Sequence, residues 1–519
     1  MNVQRPVVIA VDQGTSATKA IVMAQDGAIL KRVSVGLSQN HPQPGWVEQD
    51  AVIVRDSVVN VMAQCVDGLE VTVAAVGLST QRESAVIWDR RTGMPLGPVL
   101  GWQDRRTGRR ARELQRQGYG GMVRASTGLP LDPMFSAMKF EYLLNEVDPT
   151  RELSRDGHIA VGTMDSWLVY NLTGEHRIEA GNASRTQLLN LDSASWDPKL
   201  LKLFNIPAEV LPEVRSSTAS TAPLRDIPGM EGVRINAVMG DSHSALYAHG
   251  VRRPGQVKVT YGTGSSIMGL SSSGDSERNA SNRSLVRTIA WSDSAPIYAF
   301  EGNILATGAT VLWAAQLLEM DVSHLDSLAQ SVPDSQGVNL IPAFAGLGAP
   351  WWDDSAEALI SGFNLGTSQA HLARAAFESI PLQIEDVLEA AEREGSPKID
   401  AVLVDGGPTA NSWLMQMQAD ISQRRISRST VPDLSALGVA HMAAVGAGLC
   451  ADAEIQALES QHTDFLPQSD VDQIQKRRRS WMKAMSKART TTNHPQSGVP
   501  QPLALINDDQ LVSSSTSEE

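Results

Sequence analysis

Apolar residues in this chain fall into short, nearly unbroken runs. Val7-Val8-Ile9-Ala10-Val11, Val71 to Ser79, Val233 to Met239, Val257-Lys258-Val259 and Ala401-Val402-Leu403-Val404 are rich in β-branched residues, and each run gives way to Gly, Asp or hydroxyl residues. Such runs predict buried strands with turns at their ends. Further apolar runs lie at Ile159 to Tyr170 and Ser184 to Leu191, and Gly337 to Ala343 reads as another strand. Between them, helices are expected over Asp50–Val66, Ser242–His249, Gly308–Glu319 and Ser368–Glu394, and from near Asn411. The fourth of these carries apolar residues at helical spacing. Strands and helices therefore mix throughout.

Two of the strand runs share a further pattern. Val7 to Asp12 leads through Gln13-Gly14-Thr15-Ser16 into Ala17 to Val22, and Gln256 to Tyr261 leads through Gly262-Thr263-Gly264-Ser265-Ser266 into Ile267 to Leu270. Both read as hairpins whose turns approach a ligand closely. Glycine allows the backbone near, and turn N–H groups with hydroxyls cradle phosphate oxygens. One hairpin in each half implies a duplicated fold gripping a nucleotide from two sides.

The remaining composition narrows the class. A length of 519 residues suits two domains. Gly250 and Arg252-Arg253-Pro254-Gly255 make a junction, giving domains over 6–250 and 251–489. Residues 490–519, rich in Thr, Pro, Gln, Asp, Ser and Glu, read as a disordered tail. With 58 acidic and 44 basic residues the formal net charge is −14, which disfavours nucleic acid or anionic membrane as partner. No apolar run approaches the roughly 20 residues of a bilayer span. Cys65 and Cys450 are far apart, so neither a disulfide framework nor a zinc site is expected. Without a signal-peptide pattern at the N-terminus, a cytoplasmic location is the expectation.

Several residues at strand ends are candidates for chemistry, each with a plainer alternative. Asp12, at the first hairpin, suits a hydrated Mg²⁺ ion against phosphates, or a turn that caps its own backbone. Asp405-Gly406-Gly407-Pro408-Thr409-Ala410-Asn411 joins a strand to a helix, suiting close approach of an adenosine moiety or simply a tight connection. Asp241, between a strand and a helix, suits a base that accepts a substrate hydroxyl proton, or a helix N-cap. Arg82 and Glu83 suit vicinal hydroxyls, or are surface charges. Trp102 suits a platform beside a polyol, or a buried structural role.

Taken together these segments resemble the FGGY family of carbohydrate kinases, glycerol kinases among them. Asp12-Gln13-Gly14-Thr15, Gly45-Trp46-Val47-Glu48-Gln49, Thr80-Gln81-Arg82-Glu83 and Trp102 to Thr107 are similar to its motifs. So are Asn182 to Thr186, Tyr261-Gly262-Thr263-Gly264, Gly346 to Pro350 and Asp405-Gly406-Gly407. The resemblance is collinear over residues 6 to 490. It implies an α/β fold of two actin-like, ribonuclease-H-like domains closing over ATP, Mg²⁺ and a polyol. It places Thr15, Ser16, Lys19, Thr263, Gly308, Leu312, Gly407 and Asn411 at the nucleotide and Asp12 at the magnesium ion. Arg82, Glu83, Trp102, Met134, Asp241, Ser242 and Ser266 fall at the substrate, with Asp241 as general base.

The chain departs from the family pattern at four of these positions. Met134, Ser242 and Ser266 stand where glycerol kinases usually carry Tyr, Gln and Phe, and Leu312 replaces a usual Gln. The first three changes reshape the substrate pocket. The leading expectation is thus a kinase for glycerol or a related polyol, the rival a kinase for a C4–C5 sugar alcohol or ketose. An actin-like ATPase switch is the third reading, against which Arg82, Glu83, Trp102 and Asp241 speak. The resemblance also raises a homodimer or homotetramer, and a sugar-bisphosphate loop at Gly229 to Arg234. There Glu231 would repel phosphate.

Overall fold

The computed structural model describes residues 5–271, 284–458 and 462–489. The expected disordered tail lies outside the described residues. Two sheets dominate. The first runs in the order Ile235–Gly240, Val71–Thr80, Arg5–Gln13, Ala17–Ala24 and Ile29–Gly36. Arg5–Gln13 is antiparallel to the hairpin strand after it and parallel to Val71–Thr80, which is parallel to Ile235–Gly240. The second sheet repeats this order and these directions with Arg425–Ser429, Ala401–Asp405, Gln256–Tyr261, Ser265–Leu270 and Pro296–Ile304. Val286–Ser292 and His462–Phe465 extend it at its two edges.

The unbroken apolar runs have a simple cause: the strands that carry them are covered on both faces. In Arg5–Gln13, Val7, Ile9 and Val11 pack with Val54, Val58, Val61 and Met62 of the helix Ala51–Val66. That helix starts where Asp50 accepts the amides of Val52 and Ile53, at 2.8 and 3.2 Å. Val8 and Ala10 face the other way, onto Val439, Ala440 and Ala443 of the helix Leu434–Gly446. This second helix belongs to the second half by sequence yet covers the first sheet. It approaches closely because two contacts lack side chains. A Cβ on Gly77 would lie 2.4 Å from the Val439 carbonyl oxygen, and one on Gly438 would lie 1.9 Å from that of Ser244.

Ser244 belongs to the helix Asp241–Ala248, so the helices that follow the fifth strand of each half touch each other. Ser435 Oγ donates to the Asp241 carbonyl at 3.1 Å, and Ser244 Oγ donates to that of Ser435 at 2.5 Å. The chemistry-bearing strand ends of both halves gather around this crossing. Among the described residues no helix is long and apolar enough to cross a membrane.

Candidate active site

The strand Val71–Thr80 ends at Gln81-Arg82-Glu83, and Glu83 turns the chain with φ of +57°, a conformation uncommon for a side chain of this size. Arg82 and Glu83 are buried, which excludes the surface-charge alternative. Buried charges persist only with partners. Arg82 donates through Nη1 and Nη2 to the two carboxylate oxygens of Glu301, each at 2.9 Å. Its Nε lies 3.2 Å from Asp241 Oδ1. Arg185 repeats the pattern: its Nη1 lies 2.8 Å from Glu301 Oε2, and its Nε donates to Glu83 Oε1 at 2.6 Å. Burial alone would raise the Glu301 carboxyl, but Arg185 and Arg82 hold it well below the usual carboxylate range. His243 lies against Arg82, and burial with that cation keeps its pKa well below the ordinary value.

Asp241 is the first residue of its helix, not the N-cap, which is Gly240. Its own carboxylate accepts the Ser242 amide at 2.6 Å. The side chain keeps 38 % of its surface accessible while Arg82 keeps 8 %, so the carboxylate opens toward the cleft and the guanidinium lies behind it. Burial raises the pKa of Asp241, Arg82 opposes the rise and Glu83 adds to it. Asp12 is pushed up to about 7, first by burial and then by the charge of Asp241. Ser79 Oγ donates to it at 2.9 Å. Asp12 and Asp241, from different strand ends of the first sheet, therefore feel each other's charge.

The two hairpin tips are tight. Gly14 N–H donates to the Ala17 carbonyl at 3.0 Å, leaving Thr15 and Ser16 at the turn. Trp102 is 38 % exposed, so it is not a buried structural residue, and its indole N–H donates to Thr15 Oγ1 at 3.2 Å. Lys19 reaches Asp433 of the second half at 3.1 Å. In the second hairpin Gly262 N–H donates to the Gly264 carbonyl at 2.8 Å and Thr263 is exposed.

Two more segments of the second half close on that turn. Gly308 N–H donates to the Gly262 carbonyl at 3.1 Å, and a Cβ on Gly308 would lie 2.7 Å from that oxygen. Gly406, with φ of +98°, would bring a Cβ within 1.9 Å of the Tyr261 carbonyl oxygen, whereas Gly407 faces open space. The helix Gly308–Leu317 thus points its N-terminus at the turn, an arrangement that favours an anion. Leu312 is half-buried one turn along this helix. Asn411 caps the helix Ser412–Ser422 by accepting the Leu414 amide at 3.1 Å, and its amide donates to Asp326 at 2.8 Å.

Of the reshaped positions, Met134 packs in an apolar cluster with Phe135, Leu129, Val286 and Trp352, joining both halves. Ser266 pairs in register with Thr260 on one side and Asn303 on the other, and its buried hydroxyl has no hydrogen-bond partner in the protein. Glu301 and Asn303 were outside the sequence-derived set. A signal existed: Glu301 interrupts the apolar strand run Ile297 to Phe300, where a charge needs a buried partner. Arg185 lies inside the motif Asn182 to Thr186 but carried no role of its own.

The FGGY family of carbohydrate kinases matches as an N-terminal domain over residues 7–247 and a C-terminal domain over 257–447. A glycerol kinase of Paraburkholderia phytofirmans is 40% identical over 500 residues, covering 94% of this chain and 99% of that protein. One of Rhodopirellula baltica is 38% identical over 490 residues, covering 93% and 90%. Among solved structures, Plasmodium falciparum glycerol kinase with ADP superposes with a TM-score of 0.86 at 27% identity, covering 93% of this chain and 98% of that one. A xylulose kinase of Lactobacillus acidophilus shares the fold, with a TM-score of 0.84 at 21% identity over 94% of this chain and 99% of that one. The repeated strand order is thus that of the two-domain actin-like fold, and this chain belongs to the FGGY family of carbohydrate kinases, enzymes that transfer phosphate from ATP with Mg²⁺.

Proposed function

We propose that this kinase phosphorylates a terminal hydroxyl of glycerol or a closely related polyol, with Asp241 as the proton acceptor. The observation that carries the reading is the setting of Asp241. Its carboxylate opens to the cleft, lies 3.2 Å from a buried arginine, and has its pKa raised chiefly by burial. A carboxylate so placed gains basicity, as a general base requires. As the substrate oxygen bonds to the γ-phosphorus of ATP, its proton passes to Asp241 and the bond to the ADP oxygen breaks. Arg82 and Glu83 bind the neighbouring hydroxyls, and Trp102 covers the carbon chain.

Thr15, Ser16 and Lys19 from the first half, and Thr263, Gly308, Leu312 and Gly407 from the second, would line the nucleotide. Asn411 serves the same loop by capping its helix. Asp12 fits a divalent cation. It is a half-buried carboxylate within reach of a second carboxylate's charge, and Mg²⁺ takes one or two protein carboxylates and completes its shell with water and phosphate. When bound, the ion neutralises charge on the transferring group.

A C4–C5 sugar alcohol or ketose is the second reading, favoured by Ser266. Its unpaired hydroxyl offers a partner to a further substrate hydroxyl, and a site that leaves such a group unpaired discriminates against shorter substrates. A cytoplasmic setting belongs to the proposal, supported by the free thiols of Cys65 and Cys450. The test is ADP release with ATP across glycerol, erythritol, threitol, ribitol, arabitol, xylitol, erythrulose, ribulose and xylulose. Efficient turnover of glycerol alone would leave the first reading standing and remove the second. Turnover indifferent to every polyol would overturn both in favour of an ATPase switch.

A further inference from the structure

Glu301 lies on Pro296–Ile304 of the second sheet, and its side chain is wholly buried. The two arginines it binds belong to the first half. It accepts hydrogen bonds from both Nη groups of Arg82 at 2.9 Å and from Asn303 at 3.2 Å, and forms an ion pair with Arg185, whose Nη1 lies 2.8 Å away without a hydrogen bond. A guanidinium is a rigid plane, so fixing its Nη edge fixes where its Nε points. Held there, Arg82 keeps its Nε 3.2 Å from Asp241 Oδ1 as an ion pair without a hydrogen bond, and Arg185 Nε donates to Glu83 Oε1 at 2.6 Å. One carboxylate from the second half therefore sets the direction of both arginines that hold the acidic groups of the polyol site.

We propose that Glu301 is a positioning residue: it holds the Nη edge of Arg82 by two hydrogen bonds and Arg185 by charge, so that Asp241 and Glu83 adopt their working orientation only when the second sheet is docked against the first half. The inference rests on the reading of Asp241 as proton acceptor. Without the Glu301 charge, Arg82 has two free Nη groups beside the Asp241 carboxylate and turns its bidentate edge onto it. A chelated Asp241 is displaced from the substrate hydroxyl and is a weaker base. In the same rearrangement Arg185 loses its anchor and releases Glu83. The nucleotide loops of the second half, built on glycine and hydroxyl residues, make none of these contacts.

The experiment compares Glu301→Gln, Glu301→Asp and Arg185→Lys in the full chain, using the best polyol of the substrate panel. Folding is checked by circular dichroism and thermal melting. For Glu301→Gln we expect kcat to fall at least about tenfold and KM for the polyol to rise several-fold, since misorientation of this kind is costly in the transition state. KM for ATP should stay within about twofold. Glu301→Asp, which keeps the charge, should recover most of the lost kcat. Arg185→Lys cannot reach Glu301 and Glu83 together, and should raise KM for the polyol with KM for ATP unmoved.

A purely structural Glu301 would lower the melting temperature yet leave kcat and both KM values of folded Glu301→Gln within about twofold of the parent, which overturns the proposal. If Glu301→Gln does not fold, Arg185→Lys decides: an unchanged KM for the polyol overturns the proposal. Asp241→Asn separates the two layers. Near-normal turnover there removes the proton-acceptor reading itself, whereas its collapse beside an unaffected Glu301→Gln removes only the role of Glu301.

Discussion

The two halves of this kinase share a strand order and differ in what stands at the ends of the strands. In the first half the fourth of the five shared strands along the chain, Val71–Thr80, leads into Arg82 and Glu83. In the second half its counterpart, Ala401–Asp405, ends in Gly406 and Gly407. The central hairpins differ likewise, with Asp12 before one turn and glycines on both sides of Thr263 in the other. After the fifth strands, Asp241 opens to the cleft, while Asp433 pairs with Lys19 of the opposite half at 3.1 Å. One scaffold thus presents side-chain charge from one half and bare backbone from the other. The two needs are physically distinct: orienting hydroxyls and moving a proton takes titratable groups, and approaching a polyphosphate closely takes backbone without Cβ atoms.

If this division holds, substitutions in the charged half should act on turnover more than on nucleotide affinity. The largest effect is expected for Asp241→Asn. It keeps the helix and removes the proton acceptor, so kcat should fall about 10²–10⁴-fold with KM for ATP little changed. A matching loss of nucleotide affinity would break the comparison.

Asp12→Ala comes next, and should depress kcat and raise the Mg²⁺ concentration needed for half-maximal rate. The parent enzyme supplies a pH test of the same residue. Its folded pKa, about 7, lies above the ordinary value of 3.8, so the proton is held in the folded state between those values and released as pH rises through 7. A cation bound at Asp12 competes with that proton. The rise in melting temperature given by Mg²⁺ with ADP should therefore be larger at pH 8 than at pH 6. That difference should vanish in Asp12→Ala.

In the other half, Gly407→Val should raise KM for ATP several-fold while leaving kcat nearly intact, because it places a branched side chain where the loop now faces open space. Measuring both constants shows whether the glycines serve the nucleotide. Ser266→Phe sharpens the boundary within the cleft. Filling that space should shift kcat/KM toward glycerol over a C5 polyol by about tenfold, the scale of a pocket volume change. The smallest effect is expected from fructose bisphosphate, which should leave the rate unchanged. Glu231 already accepts the Gly229 amide at 3.2 Å and puts a negative charge in that loop.

Much of this was legible in the chain. The hairpins announce themselves through Gly14 and Gly262, and the first helix through Asp50 and its apolar spacing. Local sequence carries such features because neighbouring residues cause them. What it did not carry was the identity of partners across the fold. Arg82 and Glu83 read equally as surface charges until Glu301, more than two hundred residues away, is seen against them. Asn411 reads as a ligand contact, and nothing local tells that its side chain also caps the helix Ser412–Ser422 and donates to Asp326. The helix Leu434–Gly446 gave no amphipathic signal, since a helix buried all round has no polar face to display.

That buried helix has a consequence for how the molecule can be divided. A fragment ending near residue 250 would contain every strand of the first sheet and lack the layer over one face of it. Val8, Ala10, Ala75, Ala237 and Met239 would lie bare to water. Such a fragment is expected to aggregate or pair with itself unless residues 434–446 are supplied in trans. The chain can be cut into two ligand-binding halves on paper, but as a folding unit it is one piece, completed only when its distal third has been synthesised.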